Sequence, residues 1–458
     1  MTRSATRPED AIPTTPKMQH RAIAANVIGT VVEWYDFYIY ATATALVFGP
    51  LFFPGASPFA GTLALLATYA IGFVLRPVSG VILARWGDTV GRKKIMVICV
   101  VLMGVSTGLI GLLPTYATIG VWAPLLLVLL RLVQSVGAGA EYGTAITMSA
   151  EYSSTKRRGL LSSLPAVGVS LGILMGTGVF ALLQLLPTDA FMSWGWRLPF
   201  IFGFVLVLIG TYIRKNVDES PEFSALQKSG RVVHNPMRTL LRTDRKRVTI
   251  AALARSTDAV GGQLFNVFAI AYCTTYLHLP ASYSLTGVMT ANIVGIAVIL
   301  LTGRVADRFG RRPVFLAGLV FIAVFAFRFF WLLNTGSFAL VVLALTLAYG
   351  LGVKVVLSVS GAYLAEMFAP EVRNTGVTLA RSASDPLAGF TPLIATALLA
   401  WAGSYWAVAA FVVAVALIST TAVLKGPETR NLHAPVLDPI DDPITPTATG
   451  TPSTRSAA

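Results

Sequence analysis

Charge is scarce in this chain. Asp, Glu, Lys and Arg make up only 12% of its 458 residues, against roughly 25% in soluble domains, while 55% are hydrophobic and the mean hydropathy is +0.71. A chain with that balance folds with lipid as its solvent. Cysteine is nearly absent: Cys99 and Cys273 both lie inside apolar runs, which argues against a disulfide framework or a thiolate metal site. Histidine is also rare, with four in the chain, and His20, His234 and His278 are read as lying in tails or loops, so no metal cluster is expected. A Walker lysine loop, a Gly-x-Ser-x-Gly elbow and a Cys-x-x-Cys pair are all missing. Without a nucleophile–base or metal set, neither an enzyme nor a cofactor is expected. Acid is also short: 35 Lys and Arg against 21 Asp and Glu leave a net charge of +14. These basic residues fall between apolar runs rather than on one soluble face, which excludes nucleic acid as a partner. The first apolar run is long, holds Glu33 and Asp36 and lacks a cleavage site, so it is not a signal peptide.

What is present is a succession of apolar runs of about 20 residues, each enough to cross about 30 Å of hydrocarbon. Twelve spans are expected, at 24–48, 60–84, 95–113, 121–148, 160–184, 196–214, 248–276, 284–303, 313–333, 338–365, 374–400 and 404–424. The fold class is therefore all-α integral membrane. A polar connector, 215–247, divides a first six-helix bundle (24–214) from a second (248–424), with an N-terminal tail at 1–23 and a Pro/Thr-rich tail at 425–458 that is expected to be disordered. Lys and Arg crowd the N-terminal tail (Arg3, Arg7, Lys17, Arg21) and the loops after spans two, four, six, eight and ten, and are almost missing from the alternate loops. The positive-inside rule then puts both termini in the cytoplasm.

The chain repeats itself. Gly87, Asp88, Gly91 and Arg92 after span two return as Asp307, Gly310 and Arg311 after span eight, an offset of 219 residues (307 − 88). Glu151 and Arg158, seven apart, return as Glu366 and Arg373, an offset of 215 (373 − 158). Two motifs at nearly one offset indicate duplicated halves, a transporter architecture. The loop motifs are read as latches on the cytoplasmic side, with topogenic charge as the plainer alternative.

Charges at membrane depth cost about 2.5–3.5 kcal/mol even on the mildest scale, so each requires a partner or a watery cavity. Seven basic residues lie within or beside spans: Arg76, Arg131, Arg197, Arg255, Arg328, Lys354 and Arg381. Arg197 is read as snorkelling to an interface, and Arg76 as a helix brace. In span one, Asn26, Glu33, Asp36 and Tyr40 fall along roughly one face. Two carboxylates in one low-dielectric site cannot both stay ionised cheaply, so one is expected to hold a proton and serve proton coupling, unless both simply pair with arginine. In span four Arg131, Gln134 and Glu141 share a stripe, and Arg131 is expected either to bind a carboxylate or to neutralise a span-one acid.

In the second half Arg255 and Asp258 (i, i+3) and Arg381 and Asp385 (i, i+4) are expected to neutralise each other within their helices, with Gln263 and Asn266 further along span seven. Lys354 has no local acid and is expected to be an unpaired charge in a cavity. Four basic groups (Arg131, Arg255, Lys354, Arg381) face five acids (Glu33, Asp36, Glu141, Asp258, Asp385), which is near neutral once one acid is protonated and suits a small anion or a zwitterion. Gly168, Gly172 and Gly176 in span five predict close helix packing, and Trp34, Trp86, Trp194, Trp196 and Trp406 read as interfacial anchors.

These motifs resemble the major facilitator superfamily. The Gly-Asp-x-x-Gly-Arg-Lys loop, its repeat after span eight and Arg131-x-x-Gln134 carry the likeness. Within it the chain resembles the metabolite:proton symporter family, through Gly29-Thr30, Glu33-x-Tyr35-Asp36-Phe37, Arg76-Pro77, Glu141-Tyr142-Gly143 and Glu219-Ser220-Pro221-x-Phe223. The resemblance implies two six-helix bundles around a central site, alternating access and import driven by a proton gradient, of organic acids such as 2-oxoglutarate, citrate or shikimate or of zwitterionic solutes. Ser135 departs from the glycine usual in span four, an antiporter Gly-Pro signature is missing from span five, and the tail lacks the coiled coil of an osmosensing relative.

The expectation is a monomeric, multi-pass cell-membrane symporter for a small organic anion, with betaine- or proline-like zwitterions and a non-transporting membrane sensor as alternatives. Glu33, Asp36, Arg131 and Glu141 are assigned to proton coupling. Tyr40, Arg131, Gln134, Arg255, Asn266, Lys354, Arg381 and Asp385 are assigned to substrate.

Overall fold

The computed structural model describes residues 16–54, 58–215, 219–229, 233, 235–430 and 432, and among these no strand occurs. Twelve long helices follow one another: α1 (Pro16–Ala43), α2 (Pro58–Val90), α3 (Arg92–Leu112), α4 (Trp122–Glu151), α5 (Arg158–Leu183), α6 (Arg197–Lys215), α7 (Arg245–Gln263), α8 (Ala281–Phe309), α9 (Arg311–Asn334), α10 (Phe338–Met367), α11 (Arg373–Ala402) and α12 (Trp406–Lys425). Nine of them, among the described residues, are long and apolar enough to cross a membrane by length and composition alone. Each matches one expected span. Helix α1 begins well before residue 24, so Lys17 and Arg21 belong to the helix rather than to a tail, while Arg3 and Arg7 lie outside the described residues.

The connector is not plain linker. It holds two short helices, Pro221–Lys228 and Pro236–Thr243. The first starts as local chemistry dictates: Ser220 accepts the Phe223 N–H at 3.0 Å, and Pro221 fills the first helical position, where no N–H is needed. Most of the expected C-terminal tail lies outside the described residues, but its first turn through Arg430 packs back on the protein.

Packing shows the duplication directly. In the first bundle α1 packs on α5, α2 on α4 and α3 on α6; in the second α7 packs on α11, α8 on α10 and α9 on α12. Between bundles the main contacts are α2 with α11 and α5 with α8, again the same pair in both directions. The glycine stripe of α5 is a packing seam: a Cβ on Gly168 would stand 2.6 Å from the Val27 carbonyl oxygen, and one on Gly172 would stand 2.7 Å from that of Val31. Both cysteines are buried. Trp196 is no anchor. It is fully buried among Phe48, Phe52 and Phe200, whereas Trp86, Trp194 and Trp406 are exposed as anchors should be. Arg197 does not snorkel; its guanidinium donates to the Gly111 and Leu113 carbonyls at 2.9 and 2.7 Å, at the end of α3. Arg328 is exposed on α9.

Candidate functional site

A cavity lies between the bundles. Its walls come from α1 (Glu33, Trp34), α2 (Phe73, Arg76), α4 (Gly139, Tyr142, Gly143), α7 (Arg255, Asp258, Gln263), the π-helical part of α10 (Tyr349, Val353) and α11 (Thr378, Arg381, Asp385). Of the residues assigned to substrate, Arg255, Arg381 and Asp385 line it. Tyr40, Arg131, Gln134, Asn266 and Lys354 do not. Of the coupling residues, Glu33 lines it, whereas Asp36, Arg131 and Glu141 do not.

The expected pairing within α11 is not formed. Asp385 accepts from Arg255 at 2.9 Å instead of from Arg381, and Arg255 also donates to the Arg381 carbonyl and the Ser384 hydroxyl, both at 2.6 Å. Its Nε lies 3.5 Å from Asp258, so the expected α7 pair does form and one guanidinium sits between two carboxylates. Arg381 turns away across the bundle interface. Its guanidinium carbon lies 4.1 Å from the centre of the Tyr142 ring, and Nη1 is buried with no hydrogen-bond partner among the described residues. Arg76 is similarly held over aromatic faces, 4.8 Å from Phe73 and 5.5 Å from Phe37. Trp34 Nε1, Thr378 Oγ1 and Glu33 Oε2 are also buried without hydrogen-bond partners among the described residues.

The four polar groups of α1 do not share one environment. Three residues turn a helix to within about 60° of the same face, and that angle separates Glu33, on the cavity, from Asp36, inside the first bundle. Asp36 accepts from Thr107 of α3 and from Gln134 of α4, and Gln134 in turn accepts from Arg131. Tyr40, four residues on and about 40° away, supplies the ring 4.2 Å beneath Arg131. Asp36, Tyr40, Arg131 and Gln134 thus form one buried cluster, while Asn26 donates to Ser149 at 2.9 Å nearer the basic face. Glu141 is fully buried behind the wall, within electrostatic reach of Glu33.

Lys354 is placed differently from the expectation. It is fully buried, donates to Ser170 of α5 at 2.8 Å and to Tyr349 at 3.2 Å, and lies along Gly295. Its stem fills the space a side chain at 295 would occupy, which keeps the ammonium out of the cavity. Asn266 donates to the Gly262 carbonyl at 2.8 Å, one turn back in the chain, and does not line the cavity.

The repeated motifs meet on the basic face, and they cross between bundles. Asp88 accepts the Thr375 N–H at 2.9 Å and its hydroxyl at 2.6 Å. Asp307 accepts the N–H groups of Gly159 and Leu160 at 2.7 and 3.0 Å. Those are first-turn amides of α11 and α5, which lack acceptors in their own helices and favour a negative charge. A Cβ on Gly87 would stand 2.6 Å from the Asn374 side chain, which donates to the Ala84 carbonyl, so this approach needs glycine.

Gly91 and Gly310 have φ of +123° and +103°, backbone that other residues rarely adopt. Arg92 pairs with Glu151, Arg311 with Glu366 at 3.0 Å, and Arg373 crosses to Glu151 at 3.3 Å and to Glu222 of the connector. Arg158 lies 3.9 Å from Glu222. Burial alone would raise the Glu222 carboxyl, but Arg373, Arg158 and Arg92 hold it below the usual carboxylate range.

Sequence reasoning missed several of these parts. Trp34 was read as an anchor and is a cavity wall; its place mid-helix beside Glu33 was the available signal. Arg76 was read as a brace and lines the cavity. Glu219 and Glu428 were given no role, yet they cap the starts of α3 and α9: Glu219 accepts the Arg92 N–H at 3.1 Å, and Glu428 the Arg311 N–H at 2.8 Å. Their shared acid-then-hydroxyl pattern, Glu219-Ser220 and Glu428-Thr429, was the signal for both.

Comparison with known proteins fits this geometry. The family described as "Sugar (and other) transporter" matches residues 22–232, and "Major Facilitator Superfamily" matches 251–446. The inner membrane metabolite transport protein YhjE of Escherichia coli K12 is 40% identical over 90% of this chain and 95% of its own length. The shikimate transporter of the same organism is 36% identical over 92% and 97%, and its proline/betaine transporter 32% identical over 90% and 84%. Among solved structures, the proton:xylose symporter XylE bound to 6-bromo-6-deoxy-D-glucose superposes with a TM-score of 0.72 at 17% identity, over 91% of this chain and 97% of that one, which shows a shared fold. With this twelve-helix architecture, its crossed loop motifs and relatives that match along nearly their whole length, the chain belongs to the major facilitator superfamily, in its metabolite:proton symporter family.

Proposed function

We propose that the protein is a proton-coupled symporter that imports a small organic anion across the cell membrane by alternating access. The observation that carries the anion is Arg381, a cavity-lining guanidinium whose Nη1 is buried without a hydrogen-bond partner among the described residues. A buried donor of this kind is costly until a ligand fills it, and a carboxylate is the matching acceptor. Proton coupling is supported by two acids in separate settings. Glu33 stands on the cavity, and Asp36 stands behind it in a network that ends on Arg131. Protonating Asp36 weakens its bonds to Thr107 and Gln134 and so loosens the packing of α1 against α3 and α4. With the basic face assigned to the cytoplasm, both termini are inside and the crossed latches close the inner gate, so this conformation is the one that receives substrate from outside. The protein works as a monomer without a cofactor, with the proton gradient as its energy source.

A second reading is supported by the aromatic walls: Trp34, Tyr142 and Tyr349, beside Asp258 and Asp385, also suit the quaternary or secondary ammonium of a zwitterion. A related chain is a proline/betaine transporter.

The test is reconstitution in liposomes under an imposed pH gradient, with labelled carboxylates, betaine and proline. Acid-driven carboxylate accumulation that is lost in Arg381→Gln supports the anion. In Glu33→Gln, exchange of substrate without accumulation is expected, because binding remains while the coupling proton is removed. Accumulation of betaine or proline alone would select the second reading.

A further inference from the structure

Six charged residues line the cavity. Arg76, Arg255 and Arg381 oppose Glu33, Asp258 and Asp385, so the formal sum is zero. The charges just behind the wall, Arg131 and Lys354 against Asp36 and Glu141, cancel as well. The lining charges are not evenly paired. Arg255 sits between Asp258 at 3.5 Å and Asp385 at 2.9 Å, and that trio carries one negative charge. Arg76 and Arg381 lie over aromatic rings, with no carboxylate within 4.0 Å among the described residues. Glu33 is faced by Arg76 from α2, Glu141 from α4, and Arg381 and Asp385 from α11. Arginine keeps its charge, so a proton taken by Glu33 leaves the cavity with one uncompensated positive charge.

We propose that the transported species is a monovalent carboxylate carried with one proton, and that Asp385 is the residue that sets this valence. The proposal rests on the reading of the protein as a proton-coupled carboxylate symporter. One carboxylate restores neutrality in the protonated cavity. A dicarboxylate leaves one negative charge in a site walled by Phe73, Tyr142 and Tyr349, and a tricarboxylate leaves two. The body of the substrate is also constrained. Trp34 Nε1 is a donor only, and Thr378 Oγ1 donates or accepts; both are buried on the cavity without hydrogen-bond partners among the described residues. They call for acceptor oxygens beyond the carboxylate that Arg381 takes, so the class is a hydroxylated or carbonyl-bearing monocarboxylate. Asp385 sets the valence because it is the cavity acid bonded to Arg255 at hydrogen-bond distance. Asparagine there keeps an oxygen for that bond while adding one unit of positive charge.

The experiment uses full-length protein in liposomes with an imposed pH gradient and a panel of labelled mono-, di- and tricarboxylates, with the membrane potential clamped at zero or set inside-negative. Wild type is expected to accumulate a monocarboxylate in preference to di- and tricarboxylates by roughly 100-fold, the factor one stray charge at membrane depth is worth, with no response to potential because net charge movement is zero. Asp385→Asn is expected to move the preference to a dicarboxylate. Asp258→Asn makes the same charge step and serves if the first variant does not fold. If both variants are inactive, wild-type electrophysiology decides: potential-independent uptake supports the proposal and potential-driven uptake overturns it. Gradient-driven accumulation of a di- or tricarboxylate by wild type overturns the valence and leaves carboxylate symport standing. Failure of every carboxylate overturns both.

Discussion

Replacing Asp88 with asparagine tests whether the two crossed latches open as one body. Asp88 is 3% exposed, and its carboxylate accepts two bonds from Thr375 across the bundle interface. Asparagine keeps one acceptor oxygen but loses the charge and, with it, the worth of about one charge-assisted hydrogen bond, about 1.5–3 kcal/mol. That corresponds to a roughly 10- to 150-fold rise in the opening constant of the basic face. The readout belongs on the other latch, where nothing has been mutated. The N–H groups of Gly159 and Leu160 have no acceptor within α5 and are held by Asp307 of the opposite bundle at 2.7 and 3.0 Å. Hydrogen–deuterium exchange of a peptide spanning these amides should therefore accelerate by the same 10- to 150-fold in Asp88→Asn. Unchanged exchange there, alongside faster exchange at Thr375 and an unaltered melting temperature, would refute rigid-body opening and reduce Asp88 to a local cap.

Three further outcomes follow from other parts of the structure. Glu222 is held below the ordinary carboxylate range, so its contribution to the closed face is fully present above the unfolded value of about 4.3 and is lost only as pH falls through the lower folded value; exchange at Gly159 and Leu160, corrected for intrinsic rates, should not change between pH 8 and pH 6 in wild type and should be faster at both in Glu222→Gln. Lys354→Met should leave substrate affinity within about threefold, since the ammonium lies off the cavity, and should raise the melting temperature, since a fully buried cation with no carboxylate partner among the described residues is removed; a large loss in affinity by isothermal titration would show that Lys354 reaches the substrate. Gly172→Ala should cost about 1–3 kcal/mol in thermal unfolding, because the new methyl would stand 2.7 Å from the Val31 carbonyl oxygen and 2.8 Å from the Tyr35 nitrogen, both backbone atoms that cannot step aside.

The twelve helices were legible because lipid leaves little choice: a run of apolar residues long enough to cross must satisfy its backbone as a helix. The loop motifs were legible because they occur twice. What the sequence concealed was direction. Glu33 and Asp36 are three residues apart, and nothing in that spacing tells which one faces the cavity. Arg381 and Asp385 have ideal helical spacing for an ion pair, yet Asp385 bonds to Arg255 of another helix because that guanidinium lies between two acids. Lys354 has no acid neighbour in sequence, which suggested a free charge in the cavity; the absence of a side chain on Gly295, 59 residues away (354 − 295), opens the slot that takes it out. Arg76 and Trp34 were discounted by residue type, since arginines near prolines and tryptophans in membrane helices usually serve structure. Each of these depends on a contact between helices far apart in the chain, which helical periodicity does not encode.

The crossed latches also say something about ancestry. Asp88 reaches Thr375, and Asp307 reaches Leu160; the two recipients are 215 residues apart (375 − 160), the same offset as the Glu–Arg motif of the duplication. Each half therefore carries both the carboxylate that reaches out and the helix start that receives it. A self-complementary patch of this kind is what a two-fold homodimer requires. An unduplicated six-helix chain with both features would close against a second copy of itself without any new contact. Fusion of two such copies would free the surroundings of each half to diverge, and the two interiors do differ: one holds the Asp36–Arg131 cluster and the other the Arg255 trio.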